Sequence, residues 1–152
     1  MRWTKASAAQ YITAQAYVDT LLIPLIPIAL ENTQEIERSA GQHEALQFFA
    51  GEMEKELAGR IMLAPAYTYL KQPDMANERM RLTSWLKTFE QQSFRHFFLL
   101  TYDPAWRKEA AHLDGELIWM PYTAFQSLPP TELQHAIRGQ VKEVMELMCT
   151  AW

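Results

Sequence analysis

Asp103, His112 and Asp114 bring two carboxyl groups and an imidazole into one short stretch of the chain. A histidine flanked by a carboxylate can shuttle a proton, because its unperturbed pKa lies near neutrality. The same residues also have structural readings. Asp103 stands directly before Pro104, the arrangement of a helix cap, and Asp114-Gly115 is a common turn dipeptide. A second set of polar groups follows three apolar runs: Tyr67 and Thr68, then Thr101 and Asp103, then Tyr122 and Thr123 if the fourth strand is parallel. Ligands of open α/β sheets usually bind outside the carboxyl ends of the strands. Tyr67, Thr68, Asp103, Trp106, Tyr122 and Thr123 are therefore the candidate ligand-binding residues, with a carboxylate, hydroxyls and phenols to orient a small polar molecule.

No stronger chemical signature accompanies them. His43, His96, His112 and His135 are widely separated, and none stands at a ligand spacing from another histidine or a cysteine, so no metal site is assigned. Cys149 is the single cysteine and reads as an inert thiol near the end of a helix. The chain contains neither GxGxxG nor GxxxxGK[ST], and proline stands where a dinucleotide fingerprint needs glycine, so no cofactor is assigned. The nucleophile elbow GxSxG is missing as well. No residue is assigned as catalytic, and the familiar enzymes of this architecture are poorly supported.

The elements that must position these groups are apolar runs that meet prolines, in the stretches Thr20–Ile28, Gly59–Tyr69 and Gly115–Phe125, with a fourth run at Phe97–Tyr102. Runs without polar alternation suit strands buried on both faces. Between them lie amphipathic helical patterns, roughly 43–58 with Leu46, Phe49, Met53 and Leu57 inward, and 76–92 with Met80, Leu82, Trp85, Leu86 and Phe89 inward. An opening helix with Ser7 as its cap and Tyr11, Ile12 and Val18 inward precedes the first strand. A last helix from Pro130 carries Leu133, Ile137, Val141, Val144, Met148 and Trp152 on one stripe. This rhythm predicts a single α/β domain over 1–152. It is a three-layer open sheet of about four mostly parallel strands, Rossmann-like or flavodoxin-like, in the order 2-1-3-4. Pairing of the first strand is expected to stop near Pro24, with residues 31–42 as a surface connection. The direction of the fourth strand stays open, because twelve residues are about the minimum for a parallel crossover.

At 152 residues the chain is long enough to bury roughly 70% of its unfolded surface. Its formal charge of −4 is spread without a basic block, which argues against nucleic acid as a partner. The longest apolar run, Leu21–Leu30, is broken by two prolines and is too short to span a bilayer, so direct membrane insertion is not expected. With one cysteine and no signal-peptide pattern, a soluble cytoplasmic protein is expected.

Several weak motifs in a fixed order resemble a known family. They are Arg2-Trp3, Tyr17-Val-Asp-Thr20 leading to Ile23-Pro-Leu25, Gly59-Arg60 before Leu63 and Pro65, Asp103-Pro104 with Trp106, Leu113-Asp-Gly-Glu-Leu117 with Trp119, and Pro121. On these the chain is similar to the YpiF-like family of uncharacterised proteins from Bacillus-type Gram-positive bacteria. The resemblance assigns no catalytic residue. Genes for such proteins can lie beside those of a menaquinol–cytochrome c reductase, which implies a link to respiratory-complex assembly.

The expectation for function is a non-enzymatic accessory or protein-interaction domain with a protein partner, any membrane role being exercised through that partner. Self-association as a homodimer, through the last helix or an edge strand, is compatible with it. The alternative is a small-ligand-binding protein or enzyme with its site at the carboxyl edge of the sheet. An exposed patch of aromatic and methionine side chains favours the first, and a deep pocket joining Asp103 to Tyr67, Thr68, Tyr122 and Thr123 favours the second.

Overall fold

In the computed structural model of the protein, which describes residues 1–122, 125 and 127–152, the apolar run after Asp19 becomes a central strand, β1 (Thr20–Ile28). Its side chains alternate between two cores. Leu22 and Ile26 enter one apolar cluster, and Leu21, Ile23 and Leu25 enter the other. Every position before Ile28 is buried, which is why the run lacks polar alternation. On one flank β1 pairs with β2 (Ile61–Leu63) and, further along, with β3 (Tyr67–Leu70). On the other flank it pairs with β4 (His96–Thr101), which in turn pairs with β5 (Glu116–Trp119). All of these pairings are parallel, the last one included. The sheet thus has the expected order, with the second run split into β2 and β3.

Pro24 does not end the pairing as expected, and the hydrogen bonds show why. Ala64 N–H donates to Leu22 C=O and Lys71 N–H to Ile28 C=O, both at 2.9 Å, so even-numbered residues of β1 address the β2–β3 flank. Pro24 faces the break between β2 and β3, where Pro65 sits, and its missing amide removes no ladder bond. Pro27 faces the other flank, beyond Pro24↔Leu100, where the β1–β4 pairing ends.

The helices cover both faces. On one lie α1 (Lys5–Ala14), α3 (Ala76–Phe89) and two 3-10 turns, Pro104–Lys108 and Ala110–His112. On the other lie α2 (Thr33–Glu56) and α4 (Pro130–Ala151), whose Ile137, Val141, Val144 and Met148 are buried as their spacing predicts. Thr4, not Ser7, caps α1 by accepting the Ser7 N–H at 3.1 Å, and Ile12 is 68% exposed rather than inward. Residues 33–42 are helix rather than surface connection. Asn32 caps this extension by accepting the Glu35 N–H at 2.9 Å, and its inward positions are filled by Ser39 and Gln42. Polar residues on the buried stripe hide the helix from a hydrophobicity pattern. Among the described residues no helix is long and apolar enough to cross a membrane.

Two helical glycines differ in what surrounds them. A methyl group at Gly41 would run into Tyr122 Oη, whereas one at Gly139 meets nothing within 4 Å. Gly139→Ala is therefore expected to raise stability by about 1 kcal/mol by helix propensity alone. Gly41→Ala is expected to lower it by about 1–3 kcal/mol through overpacking. Urea denaturation of both variants checks the pair, and equal stabilisation would contradict the seating of Tyr122 on α2.

Candidate functional site

The polar residues at the carboxyl edge gather on the α3 face as two linked buried clusters. Tyr69 Oη donates to Asp103 Oδ2 at 2.6 Å and accepts from Trp106 Nε1 at 2.8 Å. The other Asp103 oxygen accepts the Ala105 N–H at 3.0 Å, so this residue is also the cap of the first 3-10 turn. Tyr67 Oη donates to Glu78 Oε2 at 2.6 Å, and Glu78 Oε1 accepts from Gln72 at 3.1 Å and Arg81 at 2.9 Å. The Tyr67 and Tyr69 rings meet Trp106 edge-on, with centroids 6.3 and 5.3 Å away. Asp103, Trp106, Tyr67, Tyr69 and Glu78 are all buried. Each polar atom finds its partner within the cluster, which ties β3, α3 and the 3-10 turn together.

This environment controls the phenols. Burial, and then the Asp103 charge and hydrogen bond, push Tyr69 far above the usual range; burial with Glu78 does the same to Tyr67. Burial also raises Tyr102 and Tyr122. Each phenol holds its proton more tightly folded than unfolded. The stability they contribute is present below about pH 10, the unfolded value, and is lost as pH rises beyond it. Phenolate absorbance from these tyrosines is expected to appear together with alkaline unfolding, and Tyr69→Phe is expected to flatten the alkaline fall in stability. Their ionisation in a protein that keeps its native circular dichroism would contradict this.

The remaining candidates lie elsewhere. Thr68 alternates with Tyr67 and Tyr69, so it is exposed on the α2 face. Tyr122 is on that face too, 5.5 Å from the Tyr102 ring and beside open cavities of about 470 and 480 Å³ along α2. The sheet separates both from Asp103, and Thr123 lies outside the described residues. His112 and Asp114 are exposed while Asp103 is buried, so the acid–base trio is not one constellation. Sequence reasoning missed Tyr69 and Glu78. Glu78 carries a readable signal, since it falls on the α3 stripe of Met75, Leu82 and Leu86 and is buried with them.

A second feature sits at the edge of the sheet. Ile28, Leu30, Ile36 and Leu70 are exposed large apolar residues, at 38, 67, 46 and 61%. Leu70 is paired in register with Ile28, and an apolar groove of about 410 Å³ runs beside them, lined by Leu30, Ile36, Ser39, His43 and Thr68. Among the described residues β3 pairs only with β1, so no described strand covers its outer backbone along this patch. Exposed apolar clusters beside an open strand edge mark interaction surfaces.

Comparison with known proteins adds kinship but no activity. Residues 9–152 match the family described as "Protein of unknown function (DUF2487)". The chain is 30% identical over 153 residues to the "Uncharacterized protein YpiF" of Bacillus subtilis (strain 168), covering 100% of this chain and 98% of that protein. No solved structure matches it. With a match running through β1 to α4 and full-length similarity to YpiF, the chain belongs to the DUF2487 family of proteins of unknown function.

Proposed function

We propose that this chain is a non-enzymatic, cytoplasmic accessory and protein-interaction domain whose protein partner docks on the open edge of β3 and the groove beside it. The observation that carries this reading is the gathering of Ile28, Leu30, Ile36 and Leu70 along one unprotected strand edge. Strand edges supply main-chain hydrogen bonds, and flanking apolar grooves supply selectivity. The competing ligand-site reading has less support. Asp103 and Glu78 spend their oxygens on Tyr69, Tyr67, Ala105, Gln72 and Arg81, and Thr68 and Tyr122 sit across the sheet from them. The implied link to respiratory-complex assembly joins this proposal as the place to seek a partner.

The test is cross-linked co-purification of the tagged protein from its native cells, with soluble and membrane fractions read separately by mass spectrometry. Wild type is compared with Ile36→Glu and Leu70→Lys, both at exposed positions. One protein recovered with the wild type and reduced about tenfold or more with both variants is the expected result, a loss of about 1.4 kcal/mol or more. Equal recovery with the variants, or no specific protein in either fraction, overturns the reading.

A further inference from the structure

We infer that the open edge of β3 pairs with the same edge of a second copy of the chain, in an antiparallel contact centred on Tyr69 that joins two sheets into one. This deepens the interaction reading above and rests on it. Other edges of the sheet carry protection that β3 lacks. Along β2, Met1 C=O accepts the Leu63 N–H at 2.7 Å and Arg2 bridges to Leu63. On β5, Glu116 sets an exposed charge at the start of the strand, and the Arg107 guanidinium lies 4.5 Å from the Trp119 ring centre. Such devices blunt edge pairing. The sequence of β3, Tyr-Thr-Tyr-Leu, has neither charge nor proline, and Leu70 is exposed on it.

The register admits a second copy, and the charge and prolines that flank it suit one. The Lys71 N–H bond to Ile28 C=O turns odd-numbered residues of β3 toward β1, so Thr68 and Leu70 aim their N–H and C=O groups outward. A two-fold axis at Tyr69 sets Thr68 opposite Leu70 of the second copy and Leu70 opposite its Thr68. Both are pairs of the hydrogen-bonded kind, so the edge is its own complement. Lys71 is the only charged residue between Pro65 and Pro73. It falls opposite Tyr67 of the second copy rather than opposite its own equivalent, and Glu35 lies 4.0 Å from it in the same chain. The juxtaposed like charges that destabilise strand pairs are thus avoided. Pro65 and Pro73 stand four residues to either side of Tyr69 and end the ladder symmetrically. Leu70 lies beside the apolar groove in each copy, so the axis brings the two grooves together. The patch is small beside the ~20–30 residues a side of a standard interface, which makes the contact reversible.

Sedimentation of the full chain over a wide concentration range tests this. The wild type is expected to approach twice the chain mass as concentration rises, and Leu70→Lys and Thr68→Pro to weaken the association about tenfold or more. Circular dichroism confirms that each variant is folded. As a second measurement, Thr68→Cys/Leu70→Cys in a Cys149→Ser background is oxidised with diamide. The facing Cα atoms of such pairs lie about 5.5 Å apart, within disulfide reach, so a covalent dimer is expected. A wild type that stays monomeric, or a dimer unmoved by both edge variants, overturns the self-pairing. If a different protein is still captured by the wild type and lost from Ile36→Glu, the interaction reading stands while this inference falls.

Discussion

Replacing Trp106 by alanine lowers the free energy of unfolding by about 4 kcal/mol, within the ~3–5 kcal/mol typical of large aromatic truncations in a core. Trp106 is fully buried, and its ring stands between the Tyr67 and Tyr69 rings and the 3-10 turn that carries it. Truncation opens a cavity there and removes the donor to Tyr69 Oη. Trp106→Phe separates the two losses. It restores much of the packing without the N–H, so it is expected to recover more than half of the deficit and retain about 1 kcal/mol of it. Urea denaturation followed by circular dichroism reads both values. A Trp106→Ala deficit below about 0.5 kcal/mol, the size of a typical surface substitution, would mean that this ring does not anchor the turn.

Asp103→Ala is expected to cost about 2–4 kcal/mol by two routes. The buried Tyr69 hydroxyl loses its acceptor, worth about 1–3 kcal/mol, and the 3-10 turn loses its cap, worth about 1 kcal/mol. Asp103→Asn keeps the shape and the oxygen facing the Ala105 N–H. It turns an amide N–H toward Tyr69, leaving the phenol hydrogen without a partner, so it is expected to fall between wild type and alanine. The Tyr69→Phe background supplies the decisive comparison, because the hydroxyl that Asp103 satisfies is already gone. There the cost of Asp103→Ala is expected to shrink by about 1 kcal/mol or more. Unchanged cost in that background would show that capping alone accounts for the residue.

The strands were legible because β1 and β4 are buried on both faces, which leaves runs such as Leu21-Leu-Ile23 and Phe98-Leu-Leu100 without polar interruption. The last helix was legible for the complementary reason: its stripe from Ile137 to Met148 is apolar wherever it is buried. Three things were not. The first turns of α2 put Ser39 and Gln42 on the inner face, where Ser39 exchanges hydrogen bonds with the Ala29 backbone instead of packing apolar surface. The continuation of β1 past Pro24 depends on which flank each amide addresses, and pairing partners decide that. The edge patch arises only when Ile28, Leu30, Ile36 and Leu70, scattered over 43 positions of sequence, are assembled beside a strand with one neighbour among the described residues. Asp103 and Trp106 are recognisable in sequence as candidates, but their partner Tyr69 is not, because hydrogen bonding across 34 positions leaves no local signal.

Site-specific photo-cross-linking in native cells tests the interaction surface most directly. A benzophenone amino acid is placed at Leu70, on the open edge of β3, and in a separate variant at Glu116, exposed on β5 at the opposite edge of the sheet. The account predicts a discrete adduct from the Leu70 position, either a second copy of the chain or one other protein, and none from Glu116. No adduct at Leu70, or the same adducts from both positions, would contradict it.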